Sequence, residues 1–281
     1  MNFLNRPNID CNRKSPFLVI LVTSEIGQAK ARMAIRVTWG KERVIADKLI
    51  VTYFLLGTNL WAHDRIVVTT ENLIYKDIIQ KDFGDTYYNL TLKTLMGLEW
   101  IHKYCPQSTF VMKTDSDMFV NTYYLTELLL KINKTTRLFT GLIKNHDLPI
   151  RDPYSKWFVS KEDFPGRKYP PFCSGTGYIL STDVASQVYI VSNKVPFLML
   201  EDVFVGLCLA ELKIKPEELH SEPAFFENQV PFSLCRYRKI ITSHHNTPTQ
   251  ILVYWFGLES SMDEECPDDV GSSNTGLDGK Q

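Results

Sequence analysis

Two carboxylates one residue apart, Asp115 and Asp117, interrupt the apolar stretch "FVMKTDSDMFVN" (Phe110 to Asn121). Along an extended backbone, residues i and i+2 project to the same side. Both carboxylates can therefore face one point just past the end of a buried strand. Converging carboxylates repel unless a cation lies between them or one takes a proton. A hard divalent ion with oxygen ligands, Mn2+ or Mg2+, resolves the repulsion and also grips a diphosphate. A bare Asp-x-Asp is a weak motif. The bland alternative is a solvated Asx-type turn after a strand.

Other residues add to this pair. Arg32 and Arg36 stand at i, i+4 in "RMAIRVTWG", on one helix face. Two guanidiniums on one face suit phosphate oxygens, although a solvated basic face is the commoner outcome. Gly175 and Gly177 in "CSGTGY" permit close backbone approach to a ligand, and a tight turn is the plainer reading. Glu201 and Asp202 open an apolar helix pattern. Acids there gain from the helix dipole, and a mere cap is the bland reading. The sharper one is a general base that takes a hydroxyl proton in a partly dry cleft. His244 and His245 end the stretch "RYRKIITSHH" and either can ligate a metal, although a histidine at a strand end is usually structural.

These residues need elements to position them. "FLVILVT" (Phe17 to Thr23), "LIVTYFLLG" (Leu49 to Gly57), "DIIQKDF" and "TFVMKT" read as buried strands. "AKARMAIRVTWG" reads as a helix closing at Gly40, and residues 58–76 as irregular to helical. "TLKTLMGLEWIHKYC" is a helix with Leu95, Leu98, Trp100 and Ile101 near one face. Such alternation predicts an α/β fold with a mostly parallel sheet. In such sheets ligands bind beyond the carboxyl ends of the strands, where Asp115 and Asp117 fall. No GxGxxG follows the first strand and no GxxxxGK[ST] occurs, which argues against dinucleotide enzymes and P-loop NTPases.

In the second half, "YLTELLLKIN" and "EDVFVGLCLAEL" read as helices, "RLFTGLI" and "RYRKIITSHH" as strands. Ser181 is expected to cap a helix near Asp183. Thr247, Pro248 and Gln250 form a capping box for "TPTQILVYWFGLES". Residues 144–172, rich in Pro, Asp, Lys and aromatics, read as an ordered functional loop.

Over 281 residues the net charge is -1, so no basic field argues for nucleic acid. The longest apolar runs fall far short of the ~20 residues that cross a bilayer. The first residues lack the apolar region of a signal peptide. Six cysteines without CxxC spacing fit two or three disulfides in an oxidising lumen better than zinc, and Cys208 is expected to be free. Asn89-Leu90-Thr91 and Asn133-Lys134-Thr135 are glycosylation sequons.

The stretches "RMAIRVTWG", "FLLG", "DIIQKDFGDTYYNLTLKT", "FVMKTDSDMFVN", "YPPFCSGTGYILS" and "EDVFVGLCL" occur in this order. Together they resemble the β-1,3-glycosyltransferases of family 31, over about Cys11 to Trp255. "PYSKWFVS" and "ELHSEPAFF" are most similar to its β-1,3-galactosyltransferase branch. The resemblance implies a single GT-A domain over 17–261, after a stem remnant (1–16); the tail (262–281), acidic and set among Ser, Gly and Asn, is expected to be disordered by its composition. The resemblance also implies a UDP-galactose donor, an acceptor ending in β-GlcNAc or GalNAc, and inversion at the sugar. Asp115, Ser116 and Asp117 match the metal-binding motif, with Asp117 as principal ligand and His244 as a second. Asp202 matches the catalytic base, and the helix N-terminus is expected to lower its pKa. Arg32, Arg36, Asp85 and Lys93 match blocks flanking the nucleotide, with Ser116, Gly175 and Gly177 also on the donor side. Trp157, Tyr154 and Glu201 are candidate acceptor contacts, as are Glu162 and Asp163. Family members are type II membrane proteins of the Golgi, and no anchor is found in this chain, so it is either a trimmed luminal fragment or differently located. Three rivals stay open: a β-1,3-N-acetylglucosaminyltransferase, a non-catalytic sugar-nucleotide binder, and a structural domain with a calcium loop.

Overall fold

A computed structural model describes residues 2–59 and 61–266. In chain order its strands are β1 (Phe3–Asn5), β2 (Leu18–Thr23), β3 (Arg43–Ile45), β4 (Lys48–Thr58), β5 (Ile78–Gly84), β6 (Phe110–Asp115), β7 (Phe119–Val120), β8 (Phe139–Lys144), β9 (Phe172–Ser181) and β10 (Thr242–Ser243). Its helices are α1 (Ala29–Val37), α2 (Ala62–Tyr75), α3 (Leu90–Tyr104), α4 (Thr122–Ile132), α5 (Thr182–Val191), α6 (Glu201–Glu211), α7 (Leu234–Arg238) and α8 (Pro248–Ser260).

The four apolar runs of the first half form the sheet centre, all parallel, in the order β5-β4-β2-β6. Antiparallel strands flank them: β1 beyond β5, β9 and then β8 beyond β6, with β3 against β4. The sheet is thus parallel at its centre and mixed overall. Its central strands are apolar throughout because both faces are covered. In β2, Val19 and Leu21 pack toward the layer of α3, α5 and α6. Leu18, Ile20 and Val22 pack toward α1, α4 and α8. This single-domain α/β architecture is the one the alternation of runs predicts.

Register places the chemistry. Thr23 pairs with Asp115 at the carboxyl ends of β2 and β6. Thr114 faces Gly177 of β9, so the "CSGTGY" glycines lie inside a strand and not in a tight turn. A Cβ on Gly177 would meet Thr242 Cγ2 at 3.3 Å, which accounts for the glycine by packing. A second, two-stranded sheet pairs Thr242 with Val120 and Ser243 with Phe119, antiparallel. Continued past its end, that register carries His244 and His245 toward Asp117. The Asn246 amide closes the connection by donating to the Asp117 carbonyl at 2.8 Å.

Several local expectations change. The stretch "RYRKIITSHH" begins inside the short helix α7, and only Thr242 and Ser243 are strand. Ser181 precedes α5 but makes no side-chain cap, because its hydroxyl accepts from the Leu138 amide at 3.0 Å. The capping box at Thr247, Pro248 and Gln250 is formed as expected. Residues 2–16 are stitched to the domain: β1 extends the sheet, and Cys11 bonds Cys105 at the end of α3. Cys235 bonds Cys266, while Cys173 and Cys208 are free and buried. The acidic tail beyond Cys266 lies outside the described residues.

The Cys11–Cys105 bond spans 94 residues of sequence. Closing so long a loop restricts the unfolded chain strongly. Replacing both cysteines by serine is expected to cost about 2–5 kcal/mol, read as a lower thermal midpoint at unchanged far-ultraviolet dichroism.

Candidate active site

A cleft of about 790 Å3 opens at the carboxyl ends of β2 and β6. One side carries the metal candidates. Asp117, His244 and His245 bring one ligand atom each to within 4.8 Å of one another. His244 Nε2 lies 3.1 Å from Asp117 Oδ2, and His245 Nδ1 lies 3.9 Å from it. The His244 ring is oriented from behind, with Nδ1 3.0 Å from the Glu227 carbonyl. His245 adopts a left-handed backbone (φ 58°) and stacks on His244 at 3.8 Å. Burial by itself would raise the Asp117 carboxyl, but the His244 hydrogen bond and charge outweigh it and hold it below its usual range. A carboxylate and two imidazoles converging at a cleft form a donor set that fits a divalent ion.

Asp115 is not in this cluster. Its Oδ1 accepts from Lys113 Nζ at 2.7 Å and from the Thr23 hydroxyl. The cation between the motif's carboxylates is thus, on the Asp115 side, a lysine already in the chain. Ser116 is fixed by its hydroxyl donating to Gln28 Oε1 at 2.8 Å.

The opposite side carries Asp202, in the first turn of α6. Its Oδ2 accepts from the Gly175 amide at 3.0 Å, and its Oδ1 from the Val203 amide at 2.9 Å. A Cβ on Gly175 would come within 3.2 Å of Glu201 Oε2 and 3.4 Å of Asp202 Cβ, so glycine permits this approach. Burial pushes the Asp202 carboxyl up, and the amide hydrogen bonds and Lys113 only partly offset it. The net direction is upward, opposite to the lowering expected from the helix N-terminus alone. Glu201, a candidate acceptor contact, is buried and engaged: Tyr178 donates to it, and Lys113 Nζ lies 3.3 Å away.

Arg32 and Arg36 do not line the cleft. Arg32 is wholly buried and donates to both Glu71 oxygens at 2.7 and 2.6 Å. It also donates to the Glu25 and Ile26 carbonyls, holding the loop after β2. Arg36 pairs with Asp77 at 2.7 Å and Glu71 at 2.6 Å. Asp85 and Lys93 do line the cleft, as a mutual ion pair, with Lys93 also donating to the Ser24 carbonyl at 2.6 Å. Gly177 lies behind the wall, whereas Gly175 is part of it.

The loop 144–172 is ordered by Arg151, which donates to the carbonyls of Val159, Ser160, Phe164 and Gly166. It brings Trp157 to the cleft but leaves Tyr154 98% exposed and outside it. Asp163 is occupied in a turn with Ser160. Tyr87, given no role from the sequence although it stands in a family stretch, lines the cleft too, and Lys156 lies over both rings, 5.9 Å from Tyr87 and 4.4 Å from Trp157. Of the two sequons, Asn133 is an exposed left-handed cap of α4, while the Asn89 amide donates to the Gly84 carbonyl at 2.8 Å.

The description "Galactosyltransferase" belongs to the family whose model matches residues 30–220. The chain belongs to this family. It is 59% identical to Beta-1,3-galactosyltransferase 5 of Mus musculus over 265 residues, covering 94% of this chain and 86% of that protein. Identity to the Homo sapiens protein of the same name is also 59%, over 95% of this chain and 86% of that one. Beta-1,3-galactosyltransferase 2 of Homo sapiens is 44% identical over 94% of this chain and 63% of its own length. These relatives make the chain a galactosyltransferase by family, and the cleft is where its chemistry has to be sought.

Removing Arg32 takes from the buried Glu71 one of its two arginine partners and leaves the Glu25 and Ile26 carbonyls without their donor. Arg32→Ala is expected to cost about 3–5 kcal/mol of stability, measured by urea unfolding. The folded fraction is expected to keep its affinity for UDP, since Arg32 stands behind the wall.

Proposed function

We propose that this chain transfers galactose from UDP-galactose to the 3-hydroxyl of a terminal β-GlcNAc or GalNAc, inverting the anomeric carbon. The observation that carries the reading is the division of one cleft: Asp202 on one side, Asp117 with His244 and His245 on the other. An inverting transfer needs these two functions apart, a base for the acceptor proton and a seat for the departing diphosphate.

The acceptor hydroxyl attacks the sugar from the face opposite the UDP. Asp202 takes its proton, a role that typically contributes ~10²–10⁴ in rate. The Gly175 and Val203 amides orient the carboxylate and leave it little freedom to turn away. A divalent ion held by Asp117, His244 and His245 would supply Lewis-acid neutralisation of charge on the UDP. Lys93 and Asp85 shape the nucleotide wall through the Ser24 carbonyl. Tyr87 and Trp157 offer aromatic faces of the kind that pyranose rings stack on, and form the acceptor side.

The setting is a Golgi lumen, with acceptors on glycoproteins or glycolipids. Two disulfides fit an oxidising compartment. Among the described residues no helix is long and apolar enough to cross a membrane.

Supplied separately with UDP-galactose and UDP-GlcNAc, the protein is expected to release UDP from the first when a β-GlcNAc acceptor is present. Preference for UDP-GlcNAc would overturn the donor assignment. Asp202→Asn is expected to abolish transfer while sparing UDP binding. Because Asp202 works as the carboxylate and burial raises its pKa, the acid limb of kcat/KM is expected above the ~3.9 of an ordinary aspartate. EDTA is expected to remove UDP affinity and Mn2+ to restore it, and Asp117→Ala to lose that response.

A further inference from the structure

Lys113 and Lys93 are the two buried cations of the cleft, and none of the roles above uses Lys113. It lies on β6 and is 2% exposed. Its ammonium donates to Asp115 Oδ1 at 2.7 Å and to the Gly175 carbonyl at 2.6 Å, and lies 3.3 Å from Glu201 Oε2. These partners belong to three elements: the end of β6, the β9 backbone and the first turn of α6. Each leads directly to the chemistry. Asp115 is two residues from Asp117, Gly175 holds Asp202 by its amide, and Glu201 precedes Asp202 in sequence.

We propose that Lys113 is a positioning residue of the transfer reaction, joining the metal-side loop to the base-bearing helix and setting both the place and the charge state of Asp202. The proposal rests on Asp202 being the base. Three carboxylates converge here, Asp115 from β6 and Glu201 and Asp202 from α6, and Lys113 is the cation they share. The remaining titratable groups that face Asp202 are Tyr178 and Cys173 of β9, with Tyr169 and Tyr87 on the cleft walls. None of these is a cation. Burial opposes charge on Lys113, yet the surrounding carboxylates outweigh it and keep the ammonium protonated. Without that ammonium, Glu201 and Asp115 would act on Asp202 as uncompensated like charges, and the Gly175 strand would lose its tie to α6.

The test is a pair of substitutions read by pH profile. Lys113→Met is expected to lower kcat about 10²-fold with the donor KM little changed. Its acid limb of kcat/KM is expected to move up by about one pH unit or more. Adding Glu201→Gln removes one of the uncompensated charges and is expected to recover about tenfold and return the limb toward its original place. A limb that stays put in Lys113→Met, or a double variant no better than Lys113→Met, overturns the proposal. Lys113→Gln, which keeps a donor for Gly175, is read by the same criteria if Lys113→Met does not fold. The base assignment is checked separately by Asp202→Asn, so loss of transfer there with an unmoved limb in Lys113→Met overturns the role of Lys113 alone.

Discussion

Keeping five carboxylates charged at one end of a buried sheet is the constraint around which the cleft is built. Asp85, Asp115, Asp117, Glu201 and Asp202 all line it. Isolated charges in such a place cost too much to persist. Lys93 answers Asp85, Lys113 answers Asp115 and Glu201, and His244 answers Asp117. Asp202 alone is held by backbone amides with a lysine at one remove. Burial pushes its pKa up, as it does that of Glu201, but with no side chain bonded to it Asp202 is the acid best placed to exchange a proton.

The fold supplies these pairings through register. Parallel strands β2 and β6 end together, so Thr23 reaches Asp115. Antiparallel β9 runs back beside β6 and presents the Gly175 carbonyl to Lys113 and its amide to Asp202. The short β7–β10 ladder, closed by the Asn246 amide on the Asp117 carbonyl, brings His244 from far along the chain to Asp117. A shift of one residue in any of these ladders would turn the side chains to the other face.

Much of this was legible in the sequence, for physical reasons. Strands buried on both faces are continuous apolar runs, and β2, β4 and β6 were readable as such. Asp117 and Asp202 could be singled out because they sit in long family motifs, and His244 because it ends the stretch "RYRKIITSHH". What failed depended on partners far away in the chain. The i, i+4 spacing of Arg32 and Arg36 established a shared face but not its direction. The partners that turn that face inward, Glu71 and Asp77, lie some 40 positions on, Glu71 being 39 residues from Arg32. Ser181 looked like a cap because the competing Leu138 amide comes from another strand. The pKa direction of Asp202 was misjudged because a helix N-terminus is visible in sequence and depth of burial is not. Lys113 stands in the same motif as Asp115 and Asp117 but was given no role, since a lysine inside an apolar run looks like an interruption until its acids are seen.

The relation between the two sides of the cleft is tested most directly by a crystal structure of Asp202→Asn with UDP-galactose, Mn2+ and a β-GlcNAc acceptor. Anomalous scattering is expected to place the metal on Asp117, His244 and His245, against the diphosphate. The acceptor 3-hydroxyl is expected within about 2.6–3.2 Å of the side chain at position 202. A diphosphate bound away from Asp117, or an acceptor hydroxyl facing another carboxylate, would contradict the division of the cleft described above.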